Sequence, residues 1–308
     1  MTTKVTYQSG LEKFNRIKPG TNVLFNFIFL ILAIMCVVPV LFVLMISLTS
    51  EKALENGYQF IPKEFSFEAY KFLAQQGHLI FPALGISVFV TVVGTVIGVI
   101  LTTTLGYVLS RREYKLNKLL TWMVFIPMVF NGGMVSSYYS NTNLLHLKDS
   151  VWALILPIAV SSFNVIICRT YFRTTIPDSV IESAKIDGAS ELRIYFRIVL
   201  PLSLPVLATI GLFLCFGYWN DWFQSMLYID NQRMYSLQAL LNMTMQNVEY
   251  LSKNRAFMGV EAAQLVANLP KEGSRMAIAI LIILPIACAY PFFQKYFISG
   301  LTVGSVKE

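Results

Sequence analysis

The feature that most limits what this chain can fold into is where its charges are missing. No Asp, Glu, Lys or Arg occurs between Lys18 and Glu51, between Lys71 and Arg111, or between Lys118 and Lys148. Three shorter gaps run from Asp149 to Arg169, Arg197 to Asp221 and Arg275 to Lys295, and the shortest hold 19 residues. A helix needs roughly 20 apolar residues to cross a hydrocarbon core of ~30 Å. The gaps therefore predict an all-α protein with six membrane spans, near 24–48, 80–110, 119–139, 151–172, 204–228 and 276–298. The second is long for one crossing and is expected to tilt or project beyond the headgroups. Only 13% of residues are charged and 56% are hydrophobic. A soluble domain carries about 25% charge, so a soluble protein with six buried helices is excluded.

The distribution of Lys and Arg sets the orientation. With the N-terminus inside, 15 basic residues fall on the inner side and 9 on the outer. The excess places both termini in the cytoplasm. The net charge of +7 is then a topology signal and not a sign of nucleic-acid binding. Cys36, Cys168, Cys215 and Cys288 each fall in a different span without motif spacing. They read as small apolar packing residues, with neither disulfides nor a metal site expected.

Residues 1–19 read as a cytoplasmic tail and 20–308 as a single transmembrane domain. The outer segment 49–79, with Tyr58, Phe60, Phe65, Phe67 and Tyr70, reads as an interfacial or docking loop. Gly94 and Gly98, with Thr91, Thr95, Thr102 and Gly106 nearby, form a small-residue face suited to close helix approach. Trp122, Tyr138, Tyr139 and Trp152 lie where interface anchors belong. The outer stretch 230–275 is long. Ser236–Leu251 has Leu237, Leu240, Leu241, Met245 and Val248 at helical spacing, and 258–269 reads as a second helix closed by Pro270. This region either engages an external partner or is an amphipathic segment that lies on the membrane or covers the helix bundle. On the inner side, 173–203 reads as helix–turn–helix. Pro177-Asp178 starts the first helix, Asp187-Gly188 makes the turn, and Ser190 caps a second helix ending at Leu200-Pro201.

Glu182-Ser-Ala184-Lys-Ile-Asp187-Gly188-Ala189-Ser190, followed by Phe196-Arg-Ile-Val-Leu200-Pro201, resembles the EAA loop of binding-protein-dependent ABC importer permeases. Ser183 stands where Ala is usual. The resemblance covers nearly the whole chain and points to the carbohydrate-uptake group, relatives of the six-span maltose-type permease subunit with a MetI-like core. Phe130-Asn131-Gly132-Gly133 resembles permeases for oligosaccharides and polysaccharide fragments. Tyr218-Trp219-Asn220-Asp221-Trp222-Phe223 resembles that group's Trp-Asn motif. The resemblance implies a bacterial cytoplasmic-membrane protein whose partners are a second homologous permease subunit, two copies of an ABC ATPase and an extracytoplasmic solute-binding protein. It further implies that Glu182, Ala184, Asp187, Gly188 and Ala189 form the ATPase-coupling element. Gly188 is equally explained as a turn requirement.

The residues themselves give no catalytic constellation. His78 and His146 are isolated loop residues, and no G-x-x-x-x-G-K-[ST] phosphate loop occurs. The chain is expected to be no enzyme and to need no cofactor, with ATP hydrolysis supplied by a partner. Polar groups at membrane depth are the candidates for the substrate pathway: Asn164 in span four, and Tyr218, Trp219 and Asn220 in span five. For each there is a structural alternative, an interhelical hydrogen bond for Asn164 and interface anchoring for the tryptophans. The loop at 173–203 does not separate sugar importers from peptide or amino-acid importers; the Asn-Gly-Gly and Trp-Asn-Asp motifs favour carbohydrate. A channel or membrane enzyme lacks the acidic or histidine cluster it would need at membrane depth.

Overall fold

The computed structural model describes residues 19–54, 56–254 and 269–304. The expected tail through residue 18 and the helix expected at 258–269, up to residue 268, lie outside the described residues. Among the described residues the secondary structure is helical, α with short 3₁₀ and π segments, apart from an isolated antiparallel bridge between Thr49 and Phe65. Three helices are continuous and long enough to cross a membrane: α1 (Pro19–Ser47), α4 (Gly77–Ser110) and the last, α15 (Lys271–Gly304).

The other three expected spans are broken. Span three is split into α5 (Asn117–Val129) and α6 (Gly133–Tyr139), with Asn131 Oδ1 accepting the Gly133 N–H at 2.9 Å across the break. Span four is split into α7 (Trp152–Ile155), a 3₁₀ turn through Pro157, and α8 (Ser162–Thr175), bent by 52°. Span five is α12 (Leu204–Trp219), only 16 residues, followed after Asn220–Trp222 by α13 (Phe223–Tyr228). The expected continuous helix at 204–228 is therefore corrected. Asn220 ends α12, its side-chain amide donating to the Phe216 carbonyl at 3.0 Å, and the Asp221 carboxylate accepts the Gln224 N–H at 3.2 Å to start α13. At ~1.5 Å per residue α12 rises about 24 Å, short of a full crossing.

Non-helical backbone inside a membrane needs partners for its freed polar groups. At the span-four break, the Ala159 N–H turns back to Leu156, which frees the Ile155 carbonyl from its helical partner. The Tyr218 hydroxyl donates to that carbonyl at 2.8 Å. The Trp219 indole N–H likewise donates to the Ile282 carbonyl of α15 at 3.0 Å, three residues before Pro285.

The bundle closes around α4 because its small-residue face admits its neighbours. A Cβ added at Gly94 would lie 2.5 Å from the Tyr218 ring, one at Gly98 would lie 2.7 Å from the Ala159 carbonyl oxygen, and one at Gly106 would lie 2.5 Å from Cys168 Cβ. Cys168 and Cys215 are buried as expected. Cys36 and Cys288 are exposed on α1 and α15, which corrects the expectation that all four pack inside.

The segment 49–79 folds into α2 (Glu51–Leu54) and α3 (Glu68–Gln75). The Glu51 carboxylate accepts the N–H groups of Glu272 and Gly273 at 2.9 and 3.1 Å. It thereby caps the start of α15, where the helix dipole favours an anion. Helix α14 (Leu237–Lys253), capped by Ser236, buries Leu237, Leu240, Leu241 and Val248. Leu237, Leu241, Ala277, Ile278 and Trp219 share one cluster with Ala69 and Leu73 of α3. The bundle-covering reading of this stretch accounts for that face.

Candidate functional site

The expected coupling segment is a helical hairpin at one end of the bundle. Its first arm is α9 (Asp178–Ile186). Its second begins as α10 (Glu191–Ile194), capped by Ser190, widens into a π turn over Tyr195–Val199, and ends as α11 (Leu200–Leu202). The arm runs one residue past the expected stop at Leu200-Pro201. A proline clashes with the carbonyl four residues before it in an α-helix, and the wider turn preceding Pro201 gives its ring room.

Gly188 sits at φ 77° in the turn, a conformation that costs an L-residue about 1–2 kcal/mol. A Cβ there would meet nothing, so backbone shape, not a local neighbour, accounts for glycine. Glu182, Asp187 and Gly188 are exposed, and Ala189 is half-buried. Ala184 is placed differently: with Ile181 it is buried in the bundle core, alongside Ile194, Tyr195, Val199 and Phe172. Its small side chain seats the hairpin on its own bundle.

Sequence reasoning missed the apolar tip. Ile186 is 86% exposed and Leu192 70% exposed, on either side of the turn. Their position flanking Asp187-Gly188, outside the periodic core-facing set of Ile181, Ala184 and Ile194, is the signal that distinguishes them. Sequence reasoning also missed what fastens the hairpin. The Tyr195 hydroxyl pairs with Thr103 Oγ1 at 2.8 Å, and Tyr107 donates to Glu191 at 3.2 Å. Lys185 bridges Glu191 at 2.8 Å and Arg111 bridges Asp178 at 3.0 Å. The Lys185 ammonium beside it holds the Glu191 carboxyl below its ordinary range. These contacts join both arms of the hairpin to the end of α4.

The expected substrate-pathway residues do not form one cluster. Tyr218 and Trp219 are buried, with their polar atoms committed to the Ile155 and Ile282 carbonyls. Asn164 is buried on α8. Asn220 is exposed at the break after α12. Among the described residues no group of His, Cys, Asp or Glu has the arrangement of a metal site.

Residues 94–303 match the family model of the binding-protein-dependent transport system inner membrane component.

The chain belongs to this family.

This inner-membrane component is 39% identical over 272 residues to the protein LplC of Bacillus subtilis, covering 88% of this chain and 89% of that one. It is 38% identical over 279 residues to the polygalacturonan/rhamnogalacturonan transport system permease protein YtcP of the same organism, covering 90% and 95%. Its fold matches a chain from the crystal structure of a bacterial ABC transporter involved in the import of the acidic polysaccharide alginate. That match has a TM-score of 0.76 and 26% identity, and covers 95% of this chain and all of that one. The component is thus a multi-pass membrane permease subunit of an ABC importer and not an enzyme. As such it works with a partner permease, an ATPase and a solute-binding protein.

Proposed function

We propose that this chain is one half of the translocation pathway of an ATP-driven oligosaccharide importer, coupled to its ATPase by the hairpin at 173–203. The observation that carries the coupling role is the hairpin's two-sided build. One side, with Ala184 and Ile181, is seated in the bundle and bonded to α4. The other presents Ile186, Leu192, Glu182 and Asp187 to a partner. Exposed Ile and Leu give an apolar anchor, and the two carboxylates supply acceptors for charge-assisted hydrogen bonds from a basic groove. Two ATPase copies serve two such hairpins, one from this subunit and one from its homologous partner, with both termini in the cytoplasm. The sugar reading is supported by relatives named for polygalacturonan and arabinooligosaccharide transport.

Gly188→Arg and Glu182→Lys are expected to abolish uptake in cells while the permease still inserts in the membrane. Co-purification with the ATPase should fall at least tenfold, about 1.4 kcal/mol or more. Normal uptake together with normal co-purification in both variants would remove the coupling role.

A further inference from the structure

At the end of the bundle opposite the hairpin, α14 carries three amides at four-residue intervals: Gln238, Asn242 and Gln246. That spacing puts them on one helix face, where they line a cavity of about 430 Å³ together with Trp222 and four apolar side chains. None of the eight lining residues is ionisable.

The position of this face is what gives it meaning. The Leu237 N–H donates to Ser87 Oγ of α4 at 2.7 Å. Ser87 lies ten residues into α4, about 15 Å along its axis. Helix α14 therefore starts beside the long span α4, ten residues from its first residue, and runs toward the end where α15 begins, with Glu249 reaching Arg275 at 4.0 Å. From Gln238 to Gln246 the amides cover about 12 Å. An amide face at that depth is costly against lipid and belongs to an aqueous or substrate-lined path.

Two further details point to a ligand. Gln238 is only 8% exposed, and among the described residues its buried amide nitrogen has no hydrogen-bond partner. Trp222 is 43% exposed, although it follows Trp219, whose indole is committed to α15. A buried donor without a partner destabilises a fold by about 1–3 kcal/mol unless something occupies it. An aromatic face beside amides, each offering both a carbonyl and an N–H₂, is suited to vicinal hydroxyls on one side of a sugar ring and C–H groups on the other.

We infer that Gln238, Asn242 and Gln246, with Trp222, form a track that receives uncharged sugar units of an oligosaccharide as it enters the bundle. This deepens the oligosaccharide reading and rests on it. Among the described residues the lining carries no ionisable group, so a carboxylated unit finds no cation on this face. Ring hydroxyls exchange their water hydrogen bonds for amide hydrogen bonds, and Trp222 stacks on the ring.

The test uses the complete importer, with its partner permease, ATPase and binding protein, in proteoliposomes. Uptake of radiolabelled neutral oligomers of glucose, galactose, xylose and arabinose is compared with uptake of galacturonate oligomers. Asn242→Leu and Gln246→Leu should each lower uptake of a neutral oligomer by about tenfold, the loss of one or two hydrogen bonds. Trp222→Leu should do the same, while Trp222→Phe restores most of the flux. Binding-protein-stimulated ATPase activity should persist in all four variants. In a complex freed of native cysteines, Asn242→Cys and Gln246→Cys should react with a membrane-impermeant methanethiosulfonate and be protected by the neutral oligomer. Unchanged uptake in the three leucine variants, or failure of both cysteines to react, overturns the track and leaves the importer reading intact. Import of galacturonate oligomers alone overturns the assignment to uncharged units. A parent complex that imports no sugar in the panel overturns the oligosaccharide reading and this inference together.

Discussion

At the residue scale, the fold depends on atoms that are missing as much as on those present. Gly106 lets α8 approach until Cys168 Cβ occupies the space a side chain would need. Gly106→Val forces the two helices apart and is expected to destabilise the protein by about 1–3 kcal/mol, read as a lower unfolding midpoint in detergent. Gly85 lies in the same helix with open space around it, so Gly85→Ala should leave the midpoint unchanged or raise it, by up to about 1 kcal/mol. Equal loss in both variants would mean that close packing on this face is not what holds α4. The glycine spacing was legible in the sequence, but its partners were not, because nothing in a linear pattern says which helix a small residue admits. Tyr218 shows the same limit. Its place beside Trp219 and Asn220 suggested the substrate path, whereas its hydroxyl serves the carbonyl freed at the span-four break. Tyr218→Phe should cost about 1 kcal/mol by the same measurement.

At the element scale, the hairpin is positioned by charge as well as by packing. Glu191 is lowered mainly by its hydrogen bond to Lys185, with the Tyr107 hydroxyl also contributing. A carboxyl lowered in the folded state adds stability above its unfolded value, near 4.3, and that stability is lost as pH falls through the depressed folded value. The amides of Ala189–Ile194 should therefore exchange faster at acid pH than at neutral pH, after correction for intrinsic rates. Glu191→Gln should exchange faster at neutral pH and lose the added acid sensitivity. Exchange that is unchanged by the substitution would leave the Tyr195–Thr103 bond, the Arg111–Asp178 bridge and apolar seating as the fastenings. The two helices and the turn were legible because Pro177, Asp187-Gly188 and Ser190 are local signals. The π turn over Tyr195–Val199, and with it the step past Pro201 to Leu202, was not, because no local signal marks it.

At the scale of the whole molecule, one subunit leaves much of its surface unfinished. No residue of α5 is buried, and the α6 face that follows carries exposed Ser136 and Ser137. Apolar exposure alone suits lipid, but hydroxyls beside it at membrane depth suit a partner or water. In the assembled importer, Val129→Cys is expected to cross-link to the partner permease with a short bifunctional thiol reagent. Cross-linking only within the chain, or none, would place this side of the bundle toward lipid.

The sequence by itself determined that this is a helical membrane protein with a capped hairpin between two spans. Those features rest on local physics: lipid excludes charge over a span's length, and turn and cap residues act within a few positions. The tertiary structure alone decided where the spans break and which polar groups are spent on the fold. Tyr218 and Trp219 became structural when they met the Ile155 and Ile282 carbonyls, each 63 residues away in the chain. Among the described residues no neighbour pairs with the Gln238 amide nitrogen. A polar side chain at membrane depth must find some partner, and only the packed bundle determines whether that partner is backbone or cargo.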